Sequence, residues 1–231
     1  MLKNFQNILD VLRGKRKSLK QMMSDNDIQI EKKMFKYVDL NIQGKNNTVI
    51  IEGKINADRR AKIRIEILGD NNSVIIKEGL YLVKNIWITI PYKVNNTRFF
   101  IDKNASIASM TYVTVNSNVY CEIGKDCMFG TDVLLFNTDA HPILDLNTKE
   151  LVNKVRGIII SDHCWIGTNV KIMKNSIVPE DSIVGHSAVF AGEKFKDSPH
   201  CAFAGNPAKL VKENITWDKD CNKFGYVENV F

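Results

Sequence analysis

Four histidines, His141, His163, His186 and His200, are the side chains of this 231-residue chain best suited to taking a proton at neutral pH. His163 and His186 lie in regularly patterned sequence. His141 lies in a polar phrase, Asn137-Thr138-Asp139-Ala140-His141-Pro142, which opens a stretch that carries both charge signs and runs to Gly157. An imidazole in such a loop can act as a general base toward a hydroxyl. Asp139, two residues before it, either orients an imidazole and stabilises its cation or caps the turn. Asn137 either holds an acceptor or an oxyanion or serves the turn. A three-histidine metal site is not expected, because the polar stretch separates His141 from His163 and His186 has no partner at ligand spacing. The five cysteines are odd in number and form no CxxC, which argues against a disulfide framework or a structural zinc site. Cys127 and Cys164 each follow an apolar beat position by four residues and read as small core residues rather than nucleophiles.

The elements that must position these groups announce themselves by a six-residue beat. Ile160, Ile166, Ile172, Val178, Val184 and Phe190 are each six positions after the last. A helix places apolar residues three and four apart and a strand two apart. A strict period of six instead fits a parallel β-helix of hexapeptide repeats, each repeat making one flat side with its apolar residue inward. Cys164, Val170, Ser176, Ser182 and Ala188, four places after these positions, fit the tight corners. Shorter beats cover Ile107, Val113 and Val119, then Ile123, Phe129 and Leu135, with a phase slip between Val119 and Ile123. The beat stops over 137–157, which reads as a long loop thrust out of the solenoid; such loops are more often functional than idle.

Upstream, the phrase Gly44-Lys45-Asn46-Asn47-Thr48-Val49-Ile50-Ile51 returns as Gly69-Asp70-Asn71-Asn72-Ser73-Val74-Ile75-Ile76. Each copy is a turn followed by a β-branched strand, as in irregular solenoid coils. Leu2, Phe5, Ile8, Leu9 and Leu12 recur at helical spacing, followed by the basic run Lys15, Arg16, Lys17. This helix either caps the open end of the solenoid or contacts a neighbouring subunit, or lies on an anionic membrane through residues 1–20. The expected organisation is therefore a helical cap over 1–36, irregular coils over 37–98, a hexapeptide core over 99–212 with its loop at 137–157, and a tail over 213–231. The net charge of +6 and a sequence pI of about 9.0 suit an acidic ligand without choosing one. Lys3 and Asp10 interrupt the first turns, so no secretory signal is expected, and the longest stretch without Lys, Arg, Asp or Glu, from Asn104 to Cys121, is too polar to span a membrane. Cytoplasmic location is the expectation.

Three phrases, in order and set in the six-beat, carry a resemblance: Asn137-Thr138-Asp139-Ala140-His141-Pro142, then Trp165-Ile166-Gly167, then Ala204-Gly205-Asn206-Pro207-Ala208-Lys209. The chain resembles the hexapeptide-repeat acyltransferases, and within them the O-acetyltransferases of capsule and lipopolysaccharide sugars. The likeness spans about residues 100–212 and more weakly the region from about 40. It implies a mainly β fold, a left-handed parallel β-helix with an N-terminal helix, a protruding loop and a C-terminal tail, assembled as a homotrimer. It implies acetyl-coenzyme A as co-substrate, no metal, and a carbohydrate acceptor rather than nucleic acid. It makes His141 the general base, with Asp139, Asn137 and Trp165 beside the reaction. Gly167, Thr168, Gly185, His186 and Ala191 would hold the pantetheine arm, Gly205, Asn206 and Pro207 the adenine end, and Lys209 a phosphate. The expected reaction moves acetyl to a sugar hydroxyl of a bacterial surface polysaccharide, with the positive charge favouring an acidic one such as a sialic-acid-containing capsule. The alternatives are an N-acetyltransferase on a nucleotide-linked amino sugar, against which the absence of a preceding nucleotide-binding domain argues, and a β-helix without catalysis.

Overall fold

The computed structural model of the protein describes residues 17–222. The helix expected over the first dozen residues lies outside them, as does the end of the expected tail. Short strands follow one another around a coil and stack in parallel, making three ladders. The first ladder contains seven strands: Asp27–Ile30, Thr48–Ile51, Ser73–Ile76, Arg98–Ile101, Tyr120–Ile123, Gly157–Ile160 and Ser176–Val178. The second contains Asn56–Ala57, 81–82, 106–107, Met128–Phe129, Trp165–Ile166, Ile183–Val184 and Ala202–Ala204. The third contains Val38–Ile42, Lys62–Ile67, 85–90, 109–113, Val133–Phe136, Lys171–Met173 and Val189–Phe190. The result is a mainly β parallel solenoid with its core along the axis.

Burial explains the beat. Ile160, Ile166, Ile172, Val178, Val184 and Phe190 are all buried, as are the five small residues four places after the first five of them. Each inward side chain contributes roughly 1.5–3 kcal/mol by leaving water. The register gives the period. Ile158 pairs with Ser176, Trp165 with Ile183 and Lys171 with Val189, so one coil here is three six-residue sides. Each corner needs a left-handed residue, and His163, Asn169, Asn175, Asp181 and Ser187 supply it at positive φ, again six apart. Asn and Asp tolerate that backbone better than most residues.

The N-terminal coils are longer. Thr48 pairs with Ser73 and Ser73 with Arg98, which is the spacing of the duplicated phrase. These coils are pinned by a polar ladder inside one corner. The Asn26 side-chain carbonyl accepts from Asn47 N, that of Asn47 from Asn72 N, and that of Asn72 from Thr97 N, at 2.8–2.9 Å. All four residues are buried.

Three expectations shift. The solenoid does not wait until residue 37, because Asp27–Ile30 already pairs with Thr48–Ile51 and the following Lys32–Met34 is one 3-10 turn. The helical part of the expected cap that falls within the described residues is helix α1, Leu19–Asp25, opened by a capping box between Ser18 and Gln21 and buried through Met22. Val113 is not an inward beat residue. The chain passes from the second to the third ladder within one continuous strand, Ser106–Val113, which moves the phase so that Met110 and Tyr112 fill the core. The register irregularity lies at residues 82–85 of the neighbouring coil.

Replacing Asn72 with Ala leaves the Val94 carbonyl and the Thr97 N–H without the partners that Asn72 gives them, inside the protein. The expected loss is about 1–3 kcal/mol, read by chemical denaturation; an unchanged midpoint would remove the ladder from the account of stability.

Candidate active site

The loop over 137–156 leaves the third ladder after Val133–Phe136 and returns into the first at Gly157–Ile160. It folds on itself through an isolated antiparallel bridge between Leu144 and Leu151, and Val152 N donates to Ile143 O at 2.9 Å. His141 is exposed on this loop, on the wall of a pocket of about 180 Å³. Val115 and Asn116 of the preceding coil and Asn153 and Lys154 of the returning arm line the same pocket. The loop is braced below the imidazole. Asn153 Nδ2 donates both to the His141 carbonyl at 2.9 Å and to Asp139 Oδ2 at 2.8 Å. Lys174 Nζ, from the next coil, pairs with the same carboxylate oxygen at 3.1 Å.

Two residues whose roles the sequence leaves open find their partners here. Asp139 does not hold the His141 ring; its carboxylate anchors the loop to Lys174 and Asn153, so it places His141 through the backbone. Asn137 does not face the pocket. It is fully buried, its amide donating to the Tyr120 carbonyl at 3.1 Å and to the Tyr112 hydroxyl at 3.3 Å while its Oδ1 finds no partner among the described residues, so it helps close the coil. Lys174 and Asn153 were not among the expected residues, and no spacing in the sequence marks them.

A second constellation lies at the corner between the second and third ladders. Gly130, Gly167 and Gly185 stack there, each N–H donating 2.8 Å to the coil beyond it, at Ile166, Val184 and Phe203. The coils approach so closely that a Cβ on Gly167 would lie 2.9 Å from Val184 O and from His186 N. Thr168 N donates to His186 Nδ1 at 2.9 Å, which places the proton of a neutral ring on Nε2, at the surface. The Gly205-Asn206-Pro207 turn joins this corner, with Val189 N donating to Gly205 O at 3.0 Å. Lys209 is exposed in Lys209–Lys212, the antiparallel strand that follows. Gly167 is buried in this row and Gly130, Thr168 and Gly185 are half-buried, so the row offers backbone along a narrow corner, with an exposed imidazole edge and a turn at its end. Ala191 does not belong to it. It follows Val189–Phe190 at the far end of the third ladder, on the corner where the His141 loop leaves. His141 and the glycine row thus occupy different corners of one chain.

Trp165 faces outward from the second ladder and is half-buried. What covers it is the tail. Trp217 stacks on His163, with ring centroids 4.5 Å apart, and lies 6.1 Å from Trp165. Its indole N–H donates to His163 O at 2.7 Å. Asp181 holds this corner together. His163 Nδ1 and Thr216 Oγ1 donate to its Oδ1 at 2.7 and 2.8 Å, and His200 Nδ1 to its Oδ2 at 2.9 Å. Burial raises the Asp181 pKa, but the hydrogen bonds from Thr216, His163 and His200 outweigh it and hold the carboxyl below the usual carboxylate value. Burial pushes the Cys121 thiol well above its ordinary pKa, and the contact with Cys127 together with burial does the same to Cys164.

A parallel solenoid with eighteen-residue coils, an extruded histidine loop and a glycine-lined corner defines a hexapeptide-repeat acyltransferase. No family model matches the chain. Known proteins agree with the class. A polysialic acid O-acetyltransferase of Neisseria meningitidis is 34% identical over 197 residues, 77% of this chain and 88% of that protein. One of Escherichia coli O1:K1 / APEC is 41% identical over 111 residues, 48% of this chain but only 34% of that longer protein. The crystal structure of the polySia-specific acetyltransferase NeuO superposes with a TM-score of 0.65 at 30% identity, covering 85% of this chain and 84% of that one. That of the polysialic acid O-acetyltransferase OatWY does so at 0.52 and 27%, covering 89% and 96%. The chain belongs to the family of these polysialic acid O-acetyltransferases.

The Asp181 carboxylate carries a sign that can be tested. Because its folded pKa is depressed, its contribution is present above the ordinary carboxylate value and is lost as pH falls through the folded one. Asp181→Asn should mimic that loss at neutral pH by removing charge-assisted bonds, each worth about 1.5–3 kcal/mol. We expect faster proteolytic cleavage within residues 213–222; cleavage at the wild-type rate would mean that Asp181 does not hold the tail.

Proposed function

We propose that the protein transfers an acetyl group from acetyl-coenzyme A to a hydroxyl of an acidic surface polysaccharide, with His141 as general base. The observation that carries this reading is the exposed His141 at the mouth of its pocket, in a chain 34% identical to a polysialic acid O-acetyltransferase over most of that protein's length. A thioester is already activated, so the protein needs only to take the hydroxyl proton and to hold both substrates. The acceptor O–H gives its proton to the His141 imidazole as the oxygen bonds to the acetyl carbon. The carbon–sulfur bond then breaks, and the imidazolium returns the proton to the departing thiolate. Asp139, Asn153 and Lys174 keep the loop in place during this exchange. The row through Gly167, Thr168, Gly185 and His186 supports the thioester arm, and the turn through Gly205, Asn206 and Pro207, with Lys209, supports its nucleotide end.

The site is proposed to be shared between copies of the chain. The loop that carries His141 exposes Ile143, Leu144, Leu146, Leu151 and Val152, with Leu146 80% exposed. Such a cluster on a projecting arm favours burial against a second copy. That would bring His141 of one chain toward the glycine corner of the next, which a single chain keeps apart. A closed ring of three chains satisfies this arrangement. We read Trp165 as a wall of the site near the thioester and Ala191 as a residue of the loop corner. Residues 1–20 are proposed as the segment that meets a neighbouring chain or an anionic membrane, and cytoplasmic location is part of the same reading.

His141→Ala should lower kcat by about 10²–10⁴-fold with little change in the KM for acetyl-coenzyme A. Thiol release in the presence of an acidic glycan reads this, and a variant that keeps most of its turnover would sink the assignment. Light scattering should give the mass of three chains for both proteins; a monomer with full activity would contradict the shared site.

A further inference from the structure

The glycine corner continues toward the N-terminus into a groove that the reaction scheme does not use. Its volume is about 370 Å³, within the range of sites for small ligands. Lys62, Arg64, Lys84 and Trp87 line it, with Ser109 and Asp132 at its end. The groove follows from a departure in the fold. Between Leu82 and Asn85 the register shifts as the chain turns from the second to the third ladder, and Lys84 stands exposed at that widened corner. Its floor is the outward row of the third ladder, where Arg64, Trp87 and Thr111 are register partners. Its far end reaches the donor row, since Asp132 follows Thr131, whose N–H donates to Thr168 Oγ1 at 3.3 Å.

The lining has a definite chemistry. The Arg64 guanidinium lies over the Trp87 ring, 5.1 Å from its centroid, and pairs with Asp39 at 3.4 Å. Lys62 Nζ donates to the Lys36 carbonyl. Lys84 has no ion-pair partner among the described residues. The Trp87 Nε1 is buried and finds no hydrogen-bond acceptor there, which is uncommon for an indole. The acidic group in the lining, Asp132, accepts from Ser109 Oγ at 3.0 Å. An open cation at Lys84 beside the Arg64 guanidinium on its aromatic support, along one groove, suits a chain of sugars that carries carboxylates. The cations attract the charge, and Trp87 holds the Arg64 guanidinium in place along the floor.

We propose that this groove is an extended subsite for the acidic polysaccharide acceptor, in line with the donor row. It holds sugars away from the one being acetylated and selects charged polymer over neutral glycan. The inference rests on the acetyltransferase reading above and adds to it the place where the polymer lies.

The test uses polysialic acid as the acidic probe, dextran as the neutral one, and the full chain. Lys84→Glu turns an attraction into a repulsion, so the KM for polysialic acid should rise about tenfold, while kcat and the KM for acetyl-coenzyme A stay near wild type. Arg64→Gln removes the second charge from the groove floor, and should raise the same KM severalfold. Wild-type binding to the polymer should weaken with salt, and dextran should not bind. Wild-type transfer to the polymer with KM unchanged in both variants would overturn the groove and leave the transferase reading intact. No transfer to, and no binding of, any acidic glycan by the wild type would overturn both. A change in assembly mass in Lys84→Glu would make the groove a contact between copies, which also overturns the proposal.

Discussion

Parallel stacking with one inward side chain per flat side is the constraint on which the rest depends. A strand of two to four residues has too few hydrogen bonds to stand alone. It persists because identical neighbours lie on both sides and its apolar residue closes over the axis. Once the coil length is fixed at three sides, every corner recurs at the same place around the axis. A loop inserted at one corner, such as that over 137–156, costs the stack nothing, because Gly157–Ile160 still pairs with Tyr120–Ile123. A row of glycines at another corner runs straight, because Gly130, Gly167 and Gly185 are one coil apart.

That regularity explains how so plain a scaffold supports chemistry. The reaction proposed asks for no strained residue and no buried charge, only for a base and a long support held at fixed positions. The proposed base sits on a loop thrust out of the stack, and the proposed support is the repeat itself. Rigidity reaches the loop through few contacts: Asp139 with Lys174 and Asn153, and Asn153 again with the His141 carbonyl. On the second ladder, Asp181 with His163, His200 and Thr216 holds the tail so that Trp217 lies against the coil beside Trp165. Both networks join residues that are distant in sequence.

The fold was largely legible from the chain because its signal is local. Six-residue spacing of Ile and Val over 160–190 is a direct image of one side per repeat, and the doubled Gly-x-Asn-Asn phrase is an image of the longer N-terminal coil. The left-handed corners at Asn169, Asn175 and Asp181 carried the same period. Legibility failed where a side chain's direction depends on a neighbouring coil. Asn137 sits in a motif with His141 yet turns inward, because Tyr120 and Tyr112 meet it from the coil before. Asp139 lies two residues from the imidazole yet faces Lys174, which no sequence spacing relates to it. The spacing of Val113 predicts a core position, and the passage of one strand from the second to the third ladder gives that place to Tyr112. Nothing near Trp217 in sequence marks its place, since the groups that hold it come from other segments.

The central claim is direct transfer: acetyl passes from the thioester to a sugar hydroxyl, with no acyl group ever on the protein. A single-turnover experiment with isotope-labelled acetyl-coenzyme A and polysialic acid tests it, following the label on the protein by intact mass and on the glycan after ester hydrolysis. The account predicts label on the glycan as base-labile ester and none on the protein at any time. Label that appears first on the protein and then decays to the glycan, or that is released only as acetate, would contradict it.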